Sequence, residues 1–405
     1  MREVVKSISF LGRELIRVER NRSGEFSYSF LDGGNDFLNN EKYLAKSLDN
    51  FCLMTVLTLS ARLYSQMRIQ HIGKDGNPIE NSEYIKLLSE PNFFQSQEDW
   101  LFQQDWFCNV AGTNFIYERK TFTNEVPKAL FNLIPAEIDF NNAHKVDKWI
   151  VTQQDKKAFG ERTIKYTLDN KKYDLKLADI IPLYDLSNGL TNNTFFQSPS
   201  RIKGISKVLQ NIDAAIASKH KNLQMSAKFL IKNSGTGNEA NLQDADRTAI
   251  ERVFSNKDVV TTNSDITAQH LVQDMKRLFL DEQTADDCNK VLLAFEMNKN
   301  VLNYFAKDST FENQSEGVIS YIQNVVQTKA KTRMNSLSAQ WGLLEKGEKL
   351  IGTYDHLAAM QPVVTKKIES FEKMQLAIKL GLENGTLTAA DAKKMSDDFR
   401  NKLSL

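Results

Sequence analysis

The sequence is poor in the residues that build the commonest reactive sites. It has three cysteines and five histidines in 405 residues. Cys52, Cys108 and Cys288 are odd in number, far apart and set among apolar or helical residues. That pattern fits reduced thiols in a cytosol-like compartment, filling a core, better than a disulfide framework. His71, His144, His220, His270 and His356 are scattered, with no second histidine or cysteine at ligand spacing, so no zinc site is predicted. A bias of charge is also missing: 52 basic against 51 acidic residues give a net charge of +1. This excludes the global basic signature of a nucleic-acid-binding domain and leaves room only for local or weak contact with nucleic acid. No run approaches the roughly 18 apolar residues of a membrane helix. The opening "MREVVKSISFLGRELIRVERN" carries charges throughout, unlike a signal peptide. No membrane partner and a cytoplasmic setting are expected.

Catalytic motifs are lacking too. The nearest approach to a phosphate-binding loop is "GLLEKGEK", Gly342 to Lys349, where Glu348 stands in place of the essential lysine and no Ser or Thr follows. The G-x-S-x-G pattern of a nucleophile elbow is absent. Asp281, Glu282, Asp286 and Asp287 could align carboxylates on one helical face, as in divalent-metal hydrolases. With no partnering histidine or lysine constellation, a solvated helix face is the other reading. Trp100, Phe102, Trp106 and Phe107 could stack on bases, but at helical spacing such a run reads as core. No cofactor and no catalytic residue are predicted.

What is present is a mosaic of helical and strand periods, an α+β chain long enough for two or three domains at 41% hydrophobic residues. Residues 1–41, with the turn-rich "LDGGNDFLNN", lack a clear period and are expected to form a peripheral arm. Leu44, Leu48, Phe51, Cys52, Val56, Leu59 and Leu63 recur at helical spacing, predicting one amphipathic helix over 42–66. Ser96 followed by Asp99 suggests a cap for an aromatic-rich helix, and a strand is predicted from Asn114 to Arg119. The short alternating runs "LFNLIPAEIDF", "KWIVTQQ", "TIKYTLDN" and "DIIPLYDL" predict a β-rich layer.

After Ser198 the period returns to helical. Ile202, Ile205, Leu209, Ile212 and Ile216 form one stripe of a helix over 200–227, and a second long helix is predicted over 274–297. Between them, 228–273 reads as a small α+β insertion with a helix near 242–254. Two long helices carrying a small domain describe a stalk. A polar loop, "NYFAKDSTFENQSEG", separates the stalk from a third helix of about 30 residues, and the tail reads as two helices across an Asn-Gly turn, with Thr388 as a cap.

This order of elements, over residues 42–360, resembles the portal proteins of tailed bacteriophages, in particular those of HK97-type phages. Leu87, Leu88, Pro91 and Asn92 are similar to the family's "LL..PN" segment, and Gly112, Asn114 and Tyr117 to its "G.aY" element. Asp179, Ile180, Ile181, Ser198 and Pro199 match its strand and "SP" turn, and Ser309, Phe311 and Asn313 its tunnel-loop pattern. The chain departs from the family in having "FEMNKNVLNYF" where a Pro-containing turn is common, and Phe311 where Tyr is usual.

The resemblance implies a portal fold. It would comprise an N-terminal arm at 1–41, a wing at 42–199, stem helices at 200–227 and 274–297, and a clip at 228–273. A tunnel loop at 298–316, a tunnel helix and wing return at 317–361, and a crown at 362–405 would complete it. It implies a homo-oligomeric ring, expected to be a dodecamer, at one vertex of the virion capsid, assembled in the host bacterial cytoplasm. Double-stranded DNA would pass through the channel, lined by Lys299, Asn303, Lys307, Asp308, Ser309 and Asn313. The terminase large subunit and then a head-tail adaptor would dock at the clip, where Asn238, Glu239, Asp244, Asp246 and Arg247 are the candidates. The major capsid protein and scaffold would be further partners. A head-completion adaptor ring, or a metal-dependent hydrolase using Asp281 to Asp287, are the alternative readings; the adaptor would be shorter and lack the stalk with its insertion.

Overall fold

The computed structural model describes residues 3–10, 13–20, 26–30, 40–120, 126–140, 143, 152–187, 197–225, 229–233, 266–270, 280–302 and 311–403. The chain divides into two compact units, one of residues 1–35 with 205–291 and one of 36–204 with 292–405. At the start of the smaller unit, β1 (Glu3–Phe10), β2 (Arg13–Arg20) and β3 (Phe26–Phe30) pair in an antiparallel meander. The arm expected for lack of a period therefore contains an ordered sheet, and its residues 1–35 group with the inserted segment.

In the larger unit the helix predicted over 42–66 is two, α1 (Asn40–Asp49) and α2 (Phe51–Ser65). Asn50 divides them: its backbone is extended, and its side-chain oxygen accepts the Leu53 N–H, so it caps a new helix. The break shifts the stripe. Leu53, Val56, Leu57, Ala61 and Tyr64 are fully buried, whereas Leu48 and Phe51, expected inside, are 59% and 42% exposed. Next come β4 (Arg68–Ile72), α3 (Glu83–Ser89) and α4 (Gln97–Ala111). The Ser96 hydroxyl accepts the Asp99 N–H at 3.2 Å, as the sequence predicts. Trp100, Trp106 and Phe107 are buried and Phe102 stacks on Trp106, so the aromatic run is core.

Helix α4 stops at Gly112, whose left-handed backbone turns the chain into β5 (Thr113–Arg119). β6 (Ala129–Leu133) and β7 (Ile138–Asp139) follow. The stretch "KWIVTQQ" was expected to be a strand. Its first residues lie outside the described chain, and from Gln153 it is helical: α5 (Gln153–Gly160) opens with a capping box between Thr152 and Asp155. Strands β8 (Thr163–Leu168), β9 (Lys171–Lys176) and β10 (Ile180–Tyr184) complete two three-stranded sheets, ordered β10-β5-β6 and β7-β8-β9. Phe115, Leu133, Phe140, Ile164, Tyr166, Leu177 and Ile180 make the core they share.

Helix α6 (Arg201–Met225) leaves this unit and enters the other. There β11 (Phe229–Asn233) pairs with β12 (Ile266–His270), and α7 (Leu280–Ala294) leads back. The helix predicted near 242–254 lies outside the described residues.

A 3-10 turn at Lys299–Val301 precedes the long rod formed by α8 (Phe311–Tyr321), a π-helical turn (Ile322–Val326) and α9 (Gln327–Gln340). Tyr321 and Gln327 keep helical dihedrals, so the rod runs unbroken for about 45 Å. It starts at Phe311, earlier than the 317 expected, which shortens the loop. β13 (Lys349–Thr353) returns to pair with β4, and α10 (Gln361–Glu383) and α11 (Ala389–Leu403) form the predicted tail, with Thr388 accepting the Asp391 N–H.

Candidate functional site

The rod buries Ile322, Val325, Val326, Ala330, Met334 and Leu337; its π-helical turn meets α2, and α9 lies along β13 and β10. Into that apolar seam it carries two cations, Lys329 and Arg333, one turn apart; α4 answers with Asp105 and Asn109, also one turn apart. The i, i+4 spacing on both helices sets the four side chains face to face. Arg333 Nη1 donates to Asp105 Oδ1 at 2.8 Å, and its guanidinium lies 4.5 Å over the Tyr64 ring. Ser60 Oγ and Asn109 Nδ2 donate to Asp105 Oδ2 at 2.8 Å each, and Lys329 Nζ donates to Asn109 Oδ1 at 2.8 Å.

The electrostatics follow from this enclosure. Burial raises the Asp105 carboxyl, but Lys329, Arg333 and the hydrogen bonds outweigh it and hold it at about 2. Burial works against the charge of Lys329 as well; Asp105, Tyr321 and Asp185 reverse that and raise its pKa. Burial pushes the Cys108 thiol up to about 11, so it stays protonated and unreactive at neutral pH.

The network continues to the place where the inserted segment begins and ends. Asp185, just beyond β10 and with its side chain fully buried, lies 4.0 Å from Lys329 and takes the Arg201 guanidinium at 2.5 and 3.4 Å. Arg201 Nη1 also donates to the Ala294 carbonyl at 2.9 Å and to Glu296 Oε1 at 2.7 Å. Arg201 is the first residue of α6 and Ala294 the last of α7. One guanidinium thus fastens the departing and returning chains together, and a continuous line of ion pairs joins this root to the rod.

Of the residues singled out for the channel, Lys299 is exposed on the 3-10 turn and Asn313 is exposed on the first turn of α8 rather than in a loop. Gly317 brings them to one end: a Cβ there would come 3.2 Å from Asn300 Cβ, so the turn rests directly on α8. Asn303, Lys307, Asp308 and Ser309 lie outside the described residues, as do the docking candidates Asn238, Glu239, Asp244, Asp246 and Arg247.

In the acidic cluster, Lys290 binds Asp286 at 2.9 Å and Asp287 at 2.8 Å, the lysine partner that the sequence reading did not find. Those hydrogen bonds raise the Lys290 pKa. Glu282 is exposed, and the Asp281 side chain lies outside the description. Among the described residues no group of three or more His, Cys, Asp or Glu is placed to hold a metal ion, and no helix is long and apolar enough to cross a membrane. The residues of the ion network, Asp105, Asp185, Arg201, Lys329 and Arg333, were not singled out from the sequence. The signal was there as like-spaced polar pairs, Asp105 with Asn109 and Lys329 with Arg333, on otherwise apolar helix faces.

An α+β body interrupted by an insertion that one helix enters and another leaves, fastened at Arg201 and followed by a long helix, has the portal-protein fold. No protein-family profile matches the chain, and no curated protein matches it in sequence. Among solved structures it is similar to a chain in the neck of an empty GTA particle computed with C6 symmetry, with a TM-score of 0.62 at 14% identity, covering 92% of this chain and 94% of that one. For the neck of the native GTA particle computed with C12 symmetry the TM-score is 0.60 at 14% identity, over 88% and 94%. For an HK97 family phage portal protein from Corynebacterium diphtheriae it is 0.50 at 11% identity, over 76% and 94%.

Proposed function

We propose that the chain is the subunit of a portal ring, the channel at one capsid vertex through which a phage-type particle takes in and releases its DNA. The observation that carries this reading is the likeness, over nearly the whole length of both chains, to a component of a particle neck. The inserted segment, with Asn238, Glu239, Asp244, Asp246 and Arg247, would receive the terminase large subunit and afterwards a head-tail adaptor. The residues between the 3-10 turn and the rod would face the channel.

The charge pattern suits a conduit. Every phosphate contact made by a Lys or Arg must be released as DNA advances, so a lining that binds tightly would brake it. Lys299 and Lys307 stand beside Asp308, Glu312 and Glu316, leaving little net attraction. The chain has no nucleotide motif, so translocation would draw on a separate ATP-hydrolysing motor.

The test is the mass of the purified full-length chain by native mass spectrometry, followed by imaging. A ring of about twelve subunits with a central hole supports the reading. A monomer that persists at high concentration overturns it.

A further inference from the structure

Lys329 stands between two carboxylates and is bound closely to neither. Its ammonium donates to Asn109 Oδ1 at 2.8 Å and to Ser60 Oγ at 3.4 Å, whereas Asp105 Oδ1 is 3.6 Å away and Asp185 Oδ1 4.0 Å. Each carboxylate has an arginine as its close partner: Arg333 Nη1 reaches Asp105 at 2.8 Å and Arg201 Nε reaches Asp185 at 2.5 Å. Charge thus alternates along Arg333, Asp105, Lys329, Asp185 and Arg201, with the amine in the middle. Both carboxylate side chains are fully buried and that of Lys329 is 9% exposed. A carboxylate that loses its arginine therefore has to take its cation from within the cluster.

The amine is the member able to move. The Arg333 guanidinium is seated over the Tyr64 ring, and that of Arg201 is held by the Ala294 carbonyl and Glu296. Lysine carries its charge as a point on a flexible four-carbon stem, with three donors that rotate. A shift of about 1 Å takes Nζ from its present 4.0 Å to hydrogen-bond distance of Asp185. What it gives up is an amide oxygen. A buried carboxylate left without a cation is much the costlier of the two. Asn109 meanwhile keeps its own bond from Nδ2 to Asp105 Oδ2 at 2.8 Å.

We propose that Lys329 is a relay between the root of the insertion and the rod: when the Arg201 guanidinium leaves Asp185, the Lys329 ammonium leaves Asn109 and closes on Asp185. Arg201 is the first residue of α6, and Lys329 sits on α9 just beyond the π-helical turn. Withdrawal of the first turn of α6 from the body thus undoes a bond between the rod and α4. The ammonium has two discrete positions, each with a partner, and such a two-state element is what transmission between separate places in a fold requires. The relay does not depend on assembly into a ring.

The test is structure and amide hydrogen exchange on the full-length chain carrying Arg201→Met or Arg201→Gln; glutamine can still donate to Asp185 but brings no charge, and is the milder change. In a crystallographic or cryo-EM map of either variant, Lys329 Nζ is expected within about 3.2 Å of Asp185 and no longer bonded to Asn109. Amides at 327–333 are expected to exchange roughly threefold faster than in the wild type, or more. That acceleration is expected to vanish when Asp185→Asn is added, because a neutral amide does not draw the ammonium, while exchange at 292–302 stays fast. A Lys329 that remains on Asn109 in these variants overturns the proposal. So does exchange at 327–333 that the loss of Arg201 leaves unchanged, or that is equally fast with Asp185→Asn, which would mean general loosening in place of a relay.

Discussion

Gly112 and Pro199 meet backbone to backbone: a Cβ on Gly112 would lie 2.6 Å from the Pro199 carbonyl oxygen and 2.4 Å from that of Ser198. The segment leading into α6 thus lies across the end of α4, tied there by the Ser198 N–H to Thr113 Oγ1 and by the Ser200 hydroxyl to the Val110 carbonyl. Gly112 also holds φ at +80°, where a side chain is strained. Gly112→Ala is expected to destabilise the chain by roughly 3 kcal/mol, from the left-handed conformation and the overpacking together. Urea unfolding measures this, and an unchanged midpoint would count against the close approach.

Among the described residues, Asp105 is the only carboxylate within hydrogen-bond reach of Arg333. Asp105→Ala would leave two buried cations without it, and a loss of about 3–5 kcal/mol is expected. Replacing Asp105, Lys329 and Arg333 together with apolar residues of similar volume is expected to cost less than the single change. Thermal melts of the two variants decide the order.

The same carboxylate gives a pH dependence of known sign. Its folded pKa, about 2, lies below the ordinary 3.8, so its contribution is complete above about pH 5 and is lost as the pH falls toward 2. At about 1.4 kcal/mol per pKa unit the contribution is about 2 kcal/mol. The stability gap between wild type and Asp105→Asn should therefore narrow between pH 5 and 2; a gap that is constant over that range would refute the assignment.

Arg201→Met removes the fastening at the root. Faster amide hydrogen exchange is expected at 292–302 and at the start of α6, with the β10-β5-β6 sheet unaffected. Uniform loss of protection over the whole chain would show instead that the guanidinium supports the fold at large.

Lys290, in contrast, bridges its two carboxylates in solvent. Lys290→Ala is expected to leave the melting temperature unchanged, because exposed ion pairs contribute little. Millimolar magnesium or calcium should leave the melting temperature of the wild-type chain unchanged; a metal-dependent rise would revive the carboxylates as a site.

Much of the fold was legible where a single local rule governs. The Ser96 and Thr388 caps, the strand ending at Arg119, the long α6 and the rod to Gln340 follow from capping chemistry and periodicity. Local rules failed where two signals overlapped. Asn50 lies inside a good helical stripe, and only its side-chain bond to Leu53 shows that the helix restarts there. Gln153 opens a helix because Thr152 and Asp155 cap it, a signal hidden behind the alternating run before it. The ion network was the least legible part, since its members lie at 105, 185, 201, 329 and 333 and only the tertiary fold assembles them.

The fastening at Arg201 has a consequence for how such a chain can change over time. Departure and return of residues 202–293 are joined through the Arg201 guanidinium, which holds the Ala294 carbonyl and Asp185 together. A change of length or sequence in between that keeps those two ends within reach of Arg201 leaves this fastening intact. Substitutions and length changes within the insertion can therefore accumulate over time while this fastening is kept.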